Sequence, residues 1–245
     1  AGGANLSDRV LTNIGSMRNQ GLEMSIDAQV VNTEDFSWSV QTNASTNSNE
    51  LLQLNRGADE DFQGISTGFI SGGVGNTIQI LREGEPINSF FTFRHKRDDN
   101  GDPIYEDVNG DGTIDEDDLY QDINGDDTIN EDDRVVTGNP QPDWIFGHTS
   151  QFAYQNVDFS FTLRAHLGQQ VYNNVASNFG HFNNLSNFAP SNVHESALEN
   201  EFETPQYFSD VYVEDASFLR LDNVSLGYTV RSLPSVDRLR IFARA

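Results

Sequence analysis

The side chains best placed for chemistry lie in one tract, DVNGDGTIDEDDLYQDINGDDTINEDD, where a single pattern occurs twice, fifteen residues apart. In the first copy Asp107, Asn109, Asp111, Thr113, Asp115 and Asp118 hold positions 1, 3, 5, 7, 9 and 12, with Gly112 at position 6. This is the spacing of a calcium loop. A hard cation takes several oxygens in a flexible shell, so alternate side chains and the carbonyl at position 7 converge on it, while position 6 makes the sharp turn. Ile114 is expected to anchor the loop. The second copy repeats the set as Asp122, Asn124, Asp126, Thr128, Asn130 and Asp133, with Asp127 in place of the glycine.

Both copies depart from an EF-hand. Position 12 is Asp instead of Glu, and only Leu119, Tyr120 and Gln121 separate the loops, which leaves no room for paired helices. The tract is more similar to tandem calcium loops of extracellular modules, whose affinities fall at about 10⁻⁴ to 10⁻³ M. The expected role of Ca2+ is structural. Carboxylates at this density repel one another, and an ion would staple a long surface segment they otherwise keep open. The alternative, a solvated acidic tract, does not account for a fixed spacing that repeats.

Other chemistry is sparse. His95, His148, His166, His181 and His194 show no metal-ligand spacing and read as surface or loop residues. No nucleophile elbow or phosphate loop is present, and the run from Ser71 to Gly75 lacks the strand-to-helix context that would give its glycines meaning. Nothing argues for an enzyme. With a formal net charge of −24 and Lys96 as the sole lysine, the chain offers no basic groove for nucleic acid. Cysteine is absent, which removes disulfides and thiolate sites. No apolar run reaches the roughly 18 residues of a membrane helix, and no signal peptide opens the chain, so an exported protein would have its first part elsewhere.

The elements around the acidic tract are strands. From Gly21 to Asn47 the sequence alternates: Leu22, Met24, Ile26, Ala28 and Val30 share one face, and Glu23, Ser25, Asp27 and Gln29 the other. After a tight turn, Phe36, Trp38, Val40, Thr42, Ala44 and Thr46 alternate with polar residues. Alternation over roughly eleven residues exceeds the usual soluble strand and suits a tilted strand crossing a bilayer. Further pairs are expected at 77–81 with 89–94, at 144–154 with 157–167, and from Phe218 through a turn at Ser232–Ser235 to the last residues. Joins within pairs are short, whereas those at about 48–75, 96–143 and 168–216 are long, polar and irregular, as in an outer-membrane barrel. Phe36, Trp38, Tyr154 and Tyr228 fall near the short-turn rim and Trp144 near the other, where aromatic girdles sit. On the polar face Arg164, Arg238, Arg240 and Arg244 are expected to balance carboxylates such as Asp158 and Asp27.

Asn13-Ile14-Gly15, Asn19-Gln20-Gly21-Leu22-Glu23, Gly84-Glu85-Pro86 before Phe90-Phe91, the Asp-Asn-Gly-Asp-Gly loop, Gly138-Asn139-Pro140 and the run from Phe218 to Tyr228 are the most informative segments. Through them nearly the whole chain resembles the C-terminal barrel portion of SusC/RagA-type TonB-linked outer-membrane transporters. The resemblance implies an all-β fold, with this chain supplying about eight antiparallel strands of a barrel of about 22 that holds a plug. It further implies TonB-driven import of oligosaccharides or peptides across the outer membrane of a Gram-negative bacterium, with a SusD-like lipoprotein as lid. Residues 1–245 would then be a barrel fragment lacking the plug, the TonB-contacting segment and the first strands. Residues 96–143 would be an extracellular loop containing the tandem calcium-binding-like loops 107–118 and 122–133. A second reading is a calcium-dependent extracellular adhesion module built on a soluble β-sandwich. The two differ in what covers the face of Leu22, Met24 and Ile26.

Overall fold

The computed structural model describes residues 15–54, 62–72, 76–112, 114–186, 191–233 and 236–245. Strand β1 (Ser16–Asn32) has 17 residues and β2 (Phe36–Gln53) has 18. Between them Thr33 caps the turn, its amide donating to the Phe36 carbonyl at 2.8 Å and its hydroxyl accepting from the Phe36 amide at 3.0 Å. The chain continues through β3 (Ile65–Phe69), β4 (Thr77–Leu81) and β5 (Ser89–Thr92), crosses the acidic tract, and reaches β6 (Val135–Gly138). Then come β7 (Trp144–Tyr154), β8 (Val157–Leu167), β9 (Gln170–Tyr172), β10 (Val213–Asp215), β11 (Phe218–Leu233) and β12 (Val236–Arg244).

Six long strands form one antiparallel sheet in the order β1-β2-β7-β8-β11-β12. Its register carries the alternation across the sheet. Ala28, Val40, Ser150, Phe161 and Val224 lie in one row, and Trp38, Phe152, Phe159, Leu226 and Ala243 in the next. A one-residue slip anywhere would turn a strand's apolar set to the wrong face. Among the described residues no second layer covers the apolar face: Leu22 is 67% exposed, Leu226 55% and Ile241 62%. Val40 and Phe161, half-buried, are shielded no further. A bare apolar sheet of this extent belongs against hydrocarbon, so the sandwich expectation fails.

Aromatic residues mark both rims. Phe36 pairs with Tyr154, and Tyr228 with Val157, at the short-turn end, whereas Trp144 stacks on Phe146 at 5.7 Å at the other. From Trp144 to Tyr154 is about 33 Å along the strand, which a tilt near 40° reduces to about 25 Å, the height of an outer-membrane apolar band.

The described wall has six strands, not eight. β4 and β5 belong to a separate sheet, β3-β4-β5-β6. With five and four residues they are too short to cross a bilayer, and all four residues of β5 are buried. The long joins are also organised instead of irregular. They meet at the end opposite the short turns, where Phe93 bridges to Ser209 and β9 pairs with β10. Their core consists of Phe93, Leu119, Tyr120, Ala176, Phe202 and Tyr212, with Tyr105, Ile129, Tyr172, Phe208 and Val211 packed against it. This cap is where the chain buries its apolar side chains. Among the described residues no helix is long and apolar enough to cross a membrane.

Candidate metal centre and the polar face of the wall

The two acidic loops fold alike. In the first, Asp107 accepts from the amides of Gly110 (2.5 Å) and Gly112 (2.8 Å), and Asn109 from that of Asp111 (2.8 Å). In the second, Asp122 accepts from Gly125 (2.6 Å) and Asp127 (2.9 Å), and Asn124 from Asp126 (2.9 Å). Asp127 adopts φ +60°, the left-handed region that Gly112 reaches at +92°. The missing glycine therefore does not change the fold of the second loop, because Asp is among the few side chains that tolerate this region.

At position 12 the two copies match again. Asp118 is fully buried and accepts from the amides of Val108 (2.9 Å), Asn109 (3.0 Å) and Asp115 (3.2 Å). Asp133, equally buried, accepts from Ile123 (2.8 Å), Asn124 (3.3 Å) and Asn130 (2.9 Å). Burial alone would raise these carboxyls, but the amide donors outweigh it and hold both below the ordinary carboxylate range. Asp115 and Asn130 cap the short helical turns that follow, accepting from Asp117 (3.0 Å) and Asp132 (2.9 Å). The carboxylates thus close the loops on their own backbone. Thr113 lies outside the described residues, and Thr128 donates its amide to Asp126 at 2.9 Å. Among the described residues no group of three His, Cys, Asp or Glu side chains is arranged to hold a metal ion. The Glu116 pKa is raised by desolvation and by the neighbouring charges of Asp115, Asp117 and Glu131, so negative charge crowds where the loops face each other, and only Glu131 among these is paired with an arginine in the described residues.

Ile114 is 48% exposed and lies outside the cap core, whereas Ile129, its counterpart, packs against it. The firmer anchors are residues that spacing alone does not reveal. The linker between the loops lies at the centre of the cap. Leu119 and Tyr120 are buried, Tyr120 stacks on Phe93 at 4.8 Å, and its hydroxyl donates to Gln206 at 2.7 Å. His95 pairs with Tyr120 as a β-bridge, is fully buried between Ser209 Oγ (3.1 Å) and the Ile104 carbonyl (2.7 Å), and has its pKa lowered by desolvation. It is no surface histidine. His181 is buried as well, whereas His148, His166 and His194 are half-buried with hydroxyl or amide partners. Arg134, directly after the second loop, is buried with its guanidinium on the carbonyls of Phe91 (2.5 Å) and Thr77 (2.9 Å) and on Glu131 (2.8 Å). It also lies 4.8 Å from the Phe91 ring and 4.4 Å from that of Phe208. The second loop is thereby tied to the cap sheet.

The polar face of the wall carries the arginines. Arg240 grips Asp158 with two contacts, Nε at 3.1 Å and Nη2 at 2.5 Å. Gly227 makes room, since a Cβ there would fall 2.5 Å from Asp158 Oδ1 and 2.7 Å from Arg240 Nη2. Arg164 pairs with Asp222 at 3.0 Å, which also takes Arg220 at 2.6 Å; among the described residues Asp27 receives none of the expected arginines.

No family model matches the chain. It is 35% identical over 238 residues to the TonB-dependent receptor SusC of Bacteroides thetaiotaomicron, a match covering 94% of this chain and 22% of that protein. It is 32% identical over 246 residues to the TonB-dependent receptor P26 of Formosa agariphila, covering 90% of this chain and 23% of the other. The structure of the RagAB peptide transporter matches with a TM-score of 0.64 at 18% identity, over 95% of this chain and 25% of that one. The RagAB peptide importer in its 'open-open' state gives 0.62 at 18% identity, again over 95% of this chain and 25% of that one. At such identity the structural likeness speaks for the fold: an all-β barrel wall with elaborated joins.

Proposed function

Because the chain belongs to the TonB-dependent receptor family that includes SusC, we propose that it forms the wall and outward cap of an importer in the outer membrane of a Gram-negative bacterium. The observation that carries this is the uncovered apolar face, an alternating surface that only hydrocarbon would satisfy. The opposite face is polar and lines the passage. The cap, at the end away from the short turns, faces outwards and meets solute and a SusD-like lipoprotein. Oligosaccharides or peptides are the solutes, the latter as for the RagAB transporter whose fold this chain shares. Energy comes from TonB through a part of the protein outside this chain. The role is transport, and the cap contributes shape instead of catalysis.

The acidic loops complete the reading. Calcium held by Asp107, Asn109, Asp111, the Thr113 carbonyl and Asp115, and by their counterparts in the second loop, would relieve the crowding at Glu116. The deciding experiment uses the full-length gene. Deletion should abolish uptake of fluorescent oligosaccharide or peptide by intact cells, and the native gene should restore it. A full-length protein that partitions into the aqueous phase of a detergent extraction would end the importer reading.

A further inference from the structure

A cavity of about 350 Å³ opens in the cap, between the segment from His194 to Asn200, the short helix Asn174–Phe179 and β10. Its floor is buried, with Tyr212 3% and Asn200 5% exposed. Tyr105 forms a side wall, its ring edge-on to Phe202 at 5.3 Å. Glu195, Glu199 and Glu214 stand exposed on the rim, and among the described residues no lysine or arginine lines the space. Backbone bonds fix this arrangement. His194 donates its amide to the Phe179 carbonyl at 2.8 Å, and Asn173 donates its own to the Tyr212 carbonyl at 2.7 Å. The Asn173 side chain then holds Glu214 at 2.9 Å. Asn200 is the buried polar group of the floor. Its carbonyl oxygen meets the Phe202 amide only at 3.5 Å, the limit of a hydrogen bond, and its side chain otherwise touches the Tyr212 hydroxyl. That oxygen can still accept from a donor placed in the cavity.

Size and spread select the ligand. Among the described residues no three His, Asp or Glu side chains converge on a point as a metal ion requires, and the space is far larger than a shell of oxygens at about 2.4 Å encloses. Carboxylates set apart around phenol rings suit a larger cation, whose N–H groups point in several directions and whose charge also rests on the ring faces. We infer that this cavity binds an organic cation, an ammonium or guanidinium group on an aliphatic stem, with Glu195, Glu199 and Glu214 as counter-charges and Tyr105 and Tyr212 as aromatic walls. The stem packs on Ala176 and Val211, which line the same space. A lysine or arginine side chain of a peptide presents such a group, and so does a free polyamine. The inference deepens the importer reading and rests on it for the origin of the cation, whereas binding itself is measured without transport, so the two can fail separately.

The test is calorimetric titration of the full-length protein in detergent, with millimolar calcium throughout to suppress loose binding of the probes to the acidic loops. The probes are an acetylated, amidated Gly-Lys-Gly peptide, the same peptide with uncharged norleucine for lysine, and cadaverine. The lysine peptide should bind, and the norleucine peptide at least about tenfold more weakly. The variant E195Q/E199Q/E214Q, which keeps the size of all three rim side chains, should weaken the lysine peptide by about tenfold, with the heat-dependent gel mobility of the barrel unchanged. Cadaverine binding with the same dependence on the three glutamates would extend the site to free amines, and its failure to bind would assign the site to peptide side chains. Absence of binding by the lysine peptide, equal binding of the lysine and norleucine peptides, or equal affinity in parent and variant would overturn the inference. So would a neutral trisaccharide that binds more tightly than the lysine peptide and is lost in the variant, because the cavity would then select hydroxyl groups.

Discussion

Asp118 and Asp133 fix the shape of the acidic loops, because each gathers three amides that have no other partner inside the turn. Replacing Asp118 with Ala takes the acceptor from the amides of Val108, Asn109 and Asp115. The expected cost is about 3 kcal/mol of local stability, roughly a hundredfold faster hydrogen exchange at those three amides with the wall unaffected. Acid should act at the same residues, and the sign follows from their lowered pKa values. A carboxyl held below its unfolded value stabilises fully above about pH 4 and loses that contribution as the pH falls through its folded value. His95 is likewise lowered, by desolvation. Its contribution is complete above about pH 6.5 and declines below it, because the unfolded state takes up the proton first. Exchange across residues 93–134 should therefore rise in two steps on acidification, one below pH 6.5 and one below pH 4, and His95→Gln should remove only the first.

At the scale of elements, the wall was legible and the cap was not, for one physical reason. A strand between lipid and water has two environments, so Leu22, Met24 and Ile26 alternate with Glu23, Ser25 and Asp27 over many residues. β5 has one environment, burial on both faces, and its four residues Ser-Phe-Phe-Thr show no period. The acidic repeat was legible because ligand spacing is local. That its three-residue linker is the centre of a core was not, since Phe93, Phe202 and Tyr212 come from distant parts of the chain. The alternation itself can be tested on β1 and β2. Ile26→Arg, on the apolar face opposite Thr42, should destabilise the full-length barrel by about 2–4 kcal/mol in urea unfolding from lipid vesicles. Gln41→Arg, on the polar face opposite Asp27, should change it by less than about 0.5 kcal/mol. Equal costs would mean that both faces meet the same medium.

At the scale of the molecule, wall and cap are held by different forces and should fail separately. The wall rests on a continuous hydrogen-bonded ladder against hydrocarbon, which calcium does not touch. The cap rests on a small core whose central residues, Leu119 and Tyr120, are clamped between two clusters of negative charge. On the proposal that calcium occupies the loops, its removal would strengthen the repulsion around Glu116 and free the loops at both ends of that dipeptide. A chelator should therefore expose residues 107–133 to proteolysis and raise exchange at Leu119 and Tyr120, while the gel mobility of the folded barrel stays unchanged. Calcium near 10⁻³ M should restore protection, consistent with the weak class of oxygen-ligand loops. The double variant D107N/D122N, which lowers the charge and keeps one of the two turn acceptors in each loop, should be insensitive to calcium and chelator alike. If the native cap resists protease equally with and without calcium, the amides accepted by Asp107, Asp118, Asp122 and Asp133 are sufficient to close the loops, and the repeated spacing serves the backbone alone.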